Sequence, residues 1–92
     1  MRFEFKSTFE RSIKTLNSHD KEEIKKIALQ LIDILVQDQP LHQGLGLKRL
    51  QGQYWEVRKG LKVRILFRWQ KDMVEFIFAG GHDDIKRFLK SI

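Results

Sequence analysis

The chain has 92 residues, 41% hydrophobic and 33% charged, enough for one packed core and too few for two. Its 18 Lys and Arg against 12 Asp and Glu leave a net charge of +6, which favours an anionic partner: nucleic acid, an acidic protein or anionic lipid. It has no cysteine, which excludes disulfides, a thiol nucleophile and cysteine-held metal centres, and no apolar run reaches the ~18–20 residues of a membrane span. These features predict a single cytoplasmic domain over residues 1–92, with no signal peptide at Met1 and no membrane segment.

Arg2 to Lys6 alternates charged and aromatic residues, the period of a half-buried strand. Ser7 or Thr8 can cap a short helix with Phe9, Ile13 and Leu16 on one face, broken at Asn17-Ser18. Asp20 is the expected cap of a longer helix, with Glu22 and Glu23 placed to complement its dipole. Its apolar stripe is Ile24, Ile27, Ala28, Leu31, Ile34 and Leu35, and Pro40 ends it. Residues 41–53 carry glycines 44, 46 and 52 and read as a loop, with room for a short strand at 47–50. The period then becomes two. Strands are expected at 54–58, 61–69 and 73–79, separated by turns at Lys59-Gly60 and at 70–72. Gly80-Gly81 breaks the sheet before a helix at 83–90. The order β-α-α-β-β-β-α predicts an α+β fold, a mainly antiparallel sheet with helices packed on one face.

Alternation sorts the side chains. Val63, Ile65, Phe67 and Trp69 should face the core, with Lys62, Arg64, Leu66 and Arg68 opposite. Trp55 and Val57 join the core, leaving Tyr54, Glu56 and Arg58 outward. Arg58 and Arg64 therefore share a face across a hairpin, and Lys48 and Arg49 add positive charge at its edge. Such a face serves solubility and protects sheet edges; it also suits phosphate, which arginine grips with two prongs, and Tyr54 offers a base something to stack on. His82 sits at a strand-to-helix junction, where an imidazole can serve as acid or base or merely start a helix. His19 and His42 have no comparable partners, and the three histidines lack zinc-site spacing; no metal or other cofactor is expected. Gly44-Leu45-Gly46 lacks the rest of a phosphate-loop pattern, and no serine has an acyl-transfer context.

The runs Gly44 to Leu50, Gly52, Tyr54 to Arg58, Val63 to Phe67 and Gly81 to Ile85 together resemble the RelE/ParE superfamily of bacterial toxins. The order of elements agrees, and the resemblance spans essentially the whole chain. It implies a RelE-like fold and a toxin neutralised by a cognate antitoxin in a heteromeric resting complex. Most RelE-like members cut mRNA in the ribosomal A site. ParE-like members instead poison DNA gyrase and are not nucleases, and a degenerate toxin that keeps only antitoxin binding is the third alternative.

By that resemblance Arg58 and Arg64 match positions that hold the scissile phosphate, and His82 matches a histidine near the leaving group. Lys48 matches a loop lysine of some members; Arg49, Tyr54, Lys62 and Arg68 are the further expected RNA contacts. The chain departs from the pattern elsewhere: Leu45 falls near a family glutamate, Glu56 stands where RelE has lysine, and only Phe88 lies near the C-terminal aromatic. RNA cleavage by its own 2′-hydroxyl needs a base, cations on the phosphorane and an acid for the 5′-oxygen. Glu56 is the candidate base, or else the ion-pair partner of Arg58 or Arg64. As a surface residue Arg64 should be replaceable within ~0.5 kcal/mol of stability. The antitoxin, through an acidic or amphipathic segment, is expected in a groove or on an exposed strand, at 2–6 or 54–58.

Overall fold

Apolar alternation from Tyr54 onward builds three consecutive hairpin-linked strands: β3 (Tyr54–Lys59), β4 (Arg64–Gln70) and β5 (Met73–Gly80). Ahead of them come β1 (Arg2–Phe5), α1 (Ser7–Lys14), α2 (Ser18–Gln37) and β2 (Leu45–Gln51), and α3 (His82–Lys90) follows. The computed structural model describes residues 1–38, 45–60 and 62–92. The sheet order is β1-β5-β4-β3-β2, antiparallel from β2 to β5, with β1 parallel to β5. This is the expected α+β architecture.

The core forms between α1, α2 and one face of the sheet. Phe9, Ile24, Ile27, Leu31 and Ile34 meet Val57, Ile65, Phe67, Val74 and Phe76, all nearly or fully excluded from solvent. The spacing of the α2 stripe is that of a helix crossing a sheet. Phe76 anchors the aromatic packing, with Phe5 stacked 4.8 Å away and Phe9 at 5.8 Å.

Several expectations are corrected. Residues 45–51 form a full strand, because their backbone pairs with β3 from Leu45 opposite Lys59 to Gln51 opposite Tyr54. Strand β3 is consequently interior, so 54–58 is no free edge; the edges are β1 and β2. Asn17 caps α2 by accepting from the Asp20 N–H at 2.8 Å, and Lys6 stands at the cap position of α1 with no side-chain capping bond to the helix. Asp38, at φ 51, closes α2; Pro40, His42 and Gly44 lie outside the described residues. The helices do not all share a face. Phe88 of α3 stacks on Phe78 at 4.9 Å, and Phe78 pairs with Leu66, whose side chain points away from the α1–α2 core. Helix α3 thus covers part of the charged face, which explains why Leu66 and Ile85 are buried outside the main core.

Candidate functional site

In the β3–β4 register Arg58 stands directly opposite Arg64, and Arg64 opposite Gly80. Two features bring α3 close to this point. Ile77 is an extra residue in β5, between the pairs Leu66–Phe78 and Phe67–Phe76, and such a bulge re-aims a strand. A Cβ on Gly80 would come within 3.1 Å of the Asp84 Cβ and 3.3 Å of the Phe78 ring, so the missing side chain lets the first turn of α3 pack onto β5. Gly81 caps that helix, its N–H donating to the Asp84 carboxylate at 3.2 Å. His82 is then the first helical residue, with its Nδ1 3.2 Å from Arg64 Nη1.

Arg64 is the hub. Its Nη1 lies 3.2 Å from both carboxylate oxygens of Glu56 as well as from His82. Because a guanidinium can only donate, His82 Nδ1 accepts in this contact, which leaves the ring proton on Nε2. Arg64 Nε is buried with no hydrogen-bond partner. Arg58, half-exposed, uses one nitrogen to donate to the Gly60 carbonyl at 3.1 Å. A cleft of about 280 Å³ opens beside the cluster, lined by Gln51, Glu56, His82 and Lys86 over an apolar base of Leu50, Ile85 and Leu89. Lys86 went unnoticed in the sequence; its place one helical turn after His82 was the signal that could have found it.

The structure therefore brings together Glu56, Arg58, Arg64 and His82. Of the two roles open to Glu56, the geometry has the ion pair: its side chain is 6% exposed and both oxygens face Arg64. Arg64 is also more than a surface residue. Its side chain is 15% exposed and neutralises a buried carboxylate, so its loss should cost more stability than the sequence suggests. Lys48, on β2, lies opposite Glu56 and shares the face. Tyr54 and Arg68 pair with each other near the far end of the same face.

Arg68 belongs to a second charge cluster. Its Nε donates to Glu75 at 2.6 Å and its Nη2 also meets that carboxylate, while Lys6 Nζ reaches the other oxygen at 2.9 Å. Lys6 and then Arg68 hold the Glu75 carboxyl below the usual carboxylate range despite its burial. The same contacts raise Arg68 and Lys6 above their ordinary values. Two expected RNA contacts lie elsewhere. Lys62 precedes β4 and pairs with Asp20 of α2 at 3.4 Å, and Arg49 sits on the opposite face with Trp55. Among the described residues no three His, Asp or Glu side chains gather as a metal-ligating group, and no helix is long and apolar enough to cross a membrane.

No protein-family model matches the chain, and no curated protein matches it. Solved structures do. The chain is similar to the RelE toxin of the RelB–RelE complex from Methanococcus jannaschii, with 22% identity, 92% of this chain and 96% of that one covered, and a TM-score of 0.66. It is similar to YafQ of the DinJ–YafQ complex from Escherichia coli, at 15% identity, 90% and 94% coverage and a TM-score of 0.68. A metal-bound toxin from Helicobacter pylori matches at 14% identity, 92% and 98% coverage and a TM-score of 0.68. The chain has the RelE-like toxin fold.

Proposed function

We propose that this chain is the toxin of a toxin–antitoxin pair and acts as an endoribonuclease on mRNA bound to the ribosome. The observation that carries the reading is the Arg58–Arg64–His82 group, two arginines paired across the β3–β4 register with an imidazole in contact with Arg64, beside an open cleft on a basic domain. A scissile phosphate entering beside Arg58 and Arg64 would gain charge-assisted bonds that strengthen as the phosphorane forms. As Arg64 turns to the phosphate it would free His82 Nδ1 to take a proton, and the imidazolium so formed would supply its Nε2 proton to the departing 5′-oxygen. Glu56 acts as the counter-charge that orients Arg64. The 2′-hydroxyl would attack in line and give up its proton to water, and the ribosome would hold the mRNA in that geometry. The solved RelE and YafQ complexes with RelB and DinJ support an antitoxin as the resting partner.

The test adds the purified chain to ribosomes stalled on a defined mRNA and maps the ends by primer extension. Discrete cleavage that disappears in His82→Gln is expected. Intact mRNA at stoichiometric protein would overturn the nuclease reading. If the same protein then blocked gyrase supercoiling, the chain would be a ParE-like inhibitor; growth unaffected by its expression would mark a degenerate toxin that keeps only antitoxin binding.

A further inference from the structure

On the α1–α2 face of the sheet, at the end away from Arg58 and Arg64, Trp55 and Trp69 stay half-exposed although they border the core. They are the chain's two tryptophans, and their ring centroids lie 5.6 Å apart at a tilt of 56°. Two tight turns end here, Gly52-Gln53 and Lys71-Asp72, tied together by the Trp69 N–H donating to the Gln53 carbonyl at 2.9 Å. Arg49 lies 6.0 Å from the centre of the Trp55 ring and is held at the rim by its Nε–H bond to the Gly52 carbonyl at 2.8 Å. A recess of about 310 Å³ is lined by Arg49, Gly52, Gln53, Trp55, Trp69 and Lys71, with no carboxylate among them.

Arg49 and Lys71 are both exposed, and neither forms an ion pair among the described residues. Lys71 also occupies a left-handed backbone conformation, φ 51, that glycine or asparagine adopts more readily. Local backbone preference therefore does not account for lysine at this turn. Cations without a carboxylate partner around half-exposed indoles suit a ligand with both negative charge and flat rings. An acidic peptide would satisfy the cations and leave the indoles unused, whereas a nucleotide uses both.

We propose that this recess binds a segment of single-stranded RNA, a base lying against the tryptophan pair and its phosphates meeting Arg49 and Lys71. The proposal rests on the RNA reading above and adds a second contact, on the other face of the sheet from the cleavage cluster. The domain would then grip RNA at two places and cut at one.

Because both tryptophans line the recess, intrinsic fluorescence of the full chain reports on it directly. The chain would be titrated with a short oligoadenylate, with inorganic polyphosphate and with polyglutamate. Saturable quenching by oligoadenylate alone is expected, with a salt slope smaller by about one in Lys71→Gly. Lys71→Gly should bind more weakly while melting no lower than wild type, since glycine fits the turn. Trp55→Phe should weaken binding by about twofold or more, because phenylalanine offers a base a smaller stacking face, read by anisotropy of labelled oligoadenylate. Absence of quenching, equal quenching by polyphosphate or polyglutamate, or unchanged affinity in both variants would overturn the proposal. His82→Gln keeps the recess intact, so a chain that binds oligoadenylate here yet cleaves no mRNA would retain this site and lose only the nuclease reading.

Discussion

Glu56 and Glu75 lie on the same face of the sheet, are buried alike at 4% and 5% exposure, and each meets an arginine of β4. Glu75 is saturated: Arg68 and Lys6 take its two oxygens, and Lys6 also reaches Glu4 at 3.3 Å. Its contacts join β4, β5 and the segment after β1, so they hold the parallel edge strand in register. Glu56 instead places both oxygens on one nitrogen, Arg64 Nη1, which His82 also contacts, while Arg64 Nε goes without a partner. A buried donor left unpaired costs about 1–3 kcal/mol, so this end of the face is less completely satisfied than the Glu75 end. Similar residues at similar burial thus make a fastening at one end of the face and an incomplete site at the other.

The sharpest way to break this contrast is to truncate each end and read activity and stability together. His82→Gln should slow cleavage of ribosome-bound mRNA by about 100–10,000-fold, the usual worth of a positioned proton donor. Arg58→Ala should slow it by about 100–1,000-fold, as for loss of a donor to developing negative charge. Both side chains make few contacts, so thermal melts should move by no more than ~0.5 kcal/mol. Glu75→Gln should do the reverse, lowering stability while leaving the rate on folded protein unchanged. Equal losses of rate at the two ends would show that the face acts as a diffuse basic surface.

Stability should separate the two arginines in the same manner. Arg64→Ala strands the Glu56 carboxylate, and removing one partner of a buried pair costs about 3 kcal/mol. Arg68→Ala leaves Lys6 on Glu75, and the Arg68 side chain is 37% exposed, so about 1 kcal/mol is expected. Adding Glu56→Gln to Arg64→Ala should recover part of the loss, a coupling that urea titrations of the four proteins would measure. Strict additivity would mean the pair contributes nothing as a pair.

Face assignment was legible in the sequence because strand side chains alternate without exception between Arg64 and Arg68. What covers a face was not. Glu56 is outward by alternation yet buried, since α3 folds back over that end through Gly80 and the Ile77 bulge. Arg49 was placed with Lys48 when residues 41–53 read as a loop; once 45–51 is a strand, neighbours fall on opposite faces and Arg49 joins Trp55. Lys62 follows the phase of Arg64 but precedes the strand, so alternation does not govern it and Asp20 draws it to α2. The Arg58–Arg64 pairing was within reach because the hairpin is short. The contact of His82 with Arg64 depends on the entry angle of α3, which no local pattern encodes.

The smallest expected effect concerns acid. Lys6 and Arg68 keep the Glu75 carboxyl below its ordinary value in the folded chain, whereas an unfolded glutamate titrates near ~4.3. The folded state therefore holds on to the ionised form longer, and the contribution is fully present above ~4.3 and lost as pH falls through the lowered folded value. Glu75→Gln lacks that term. The gap between wild type and Glu75→Gln in urea midpoint should be widest near pH ~6–7 and narrow progressively below ~4.3. Lys6, raised by the same carboxylate, works with the opposite sign: its share is present below the ordinary lysine value near ~10.4 and is lost as pH climbs through the raised one. A gap that stays constant from neutrality into acid would mean that Glu75 stabilises the sheet through packing and not through its charge.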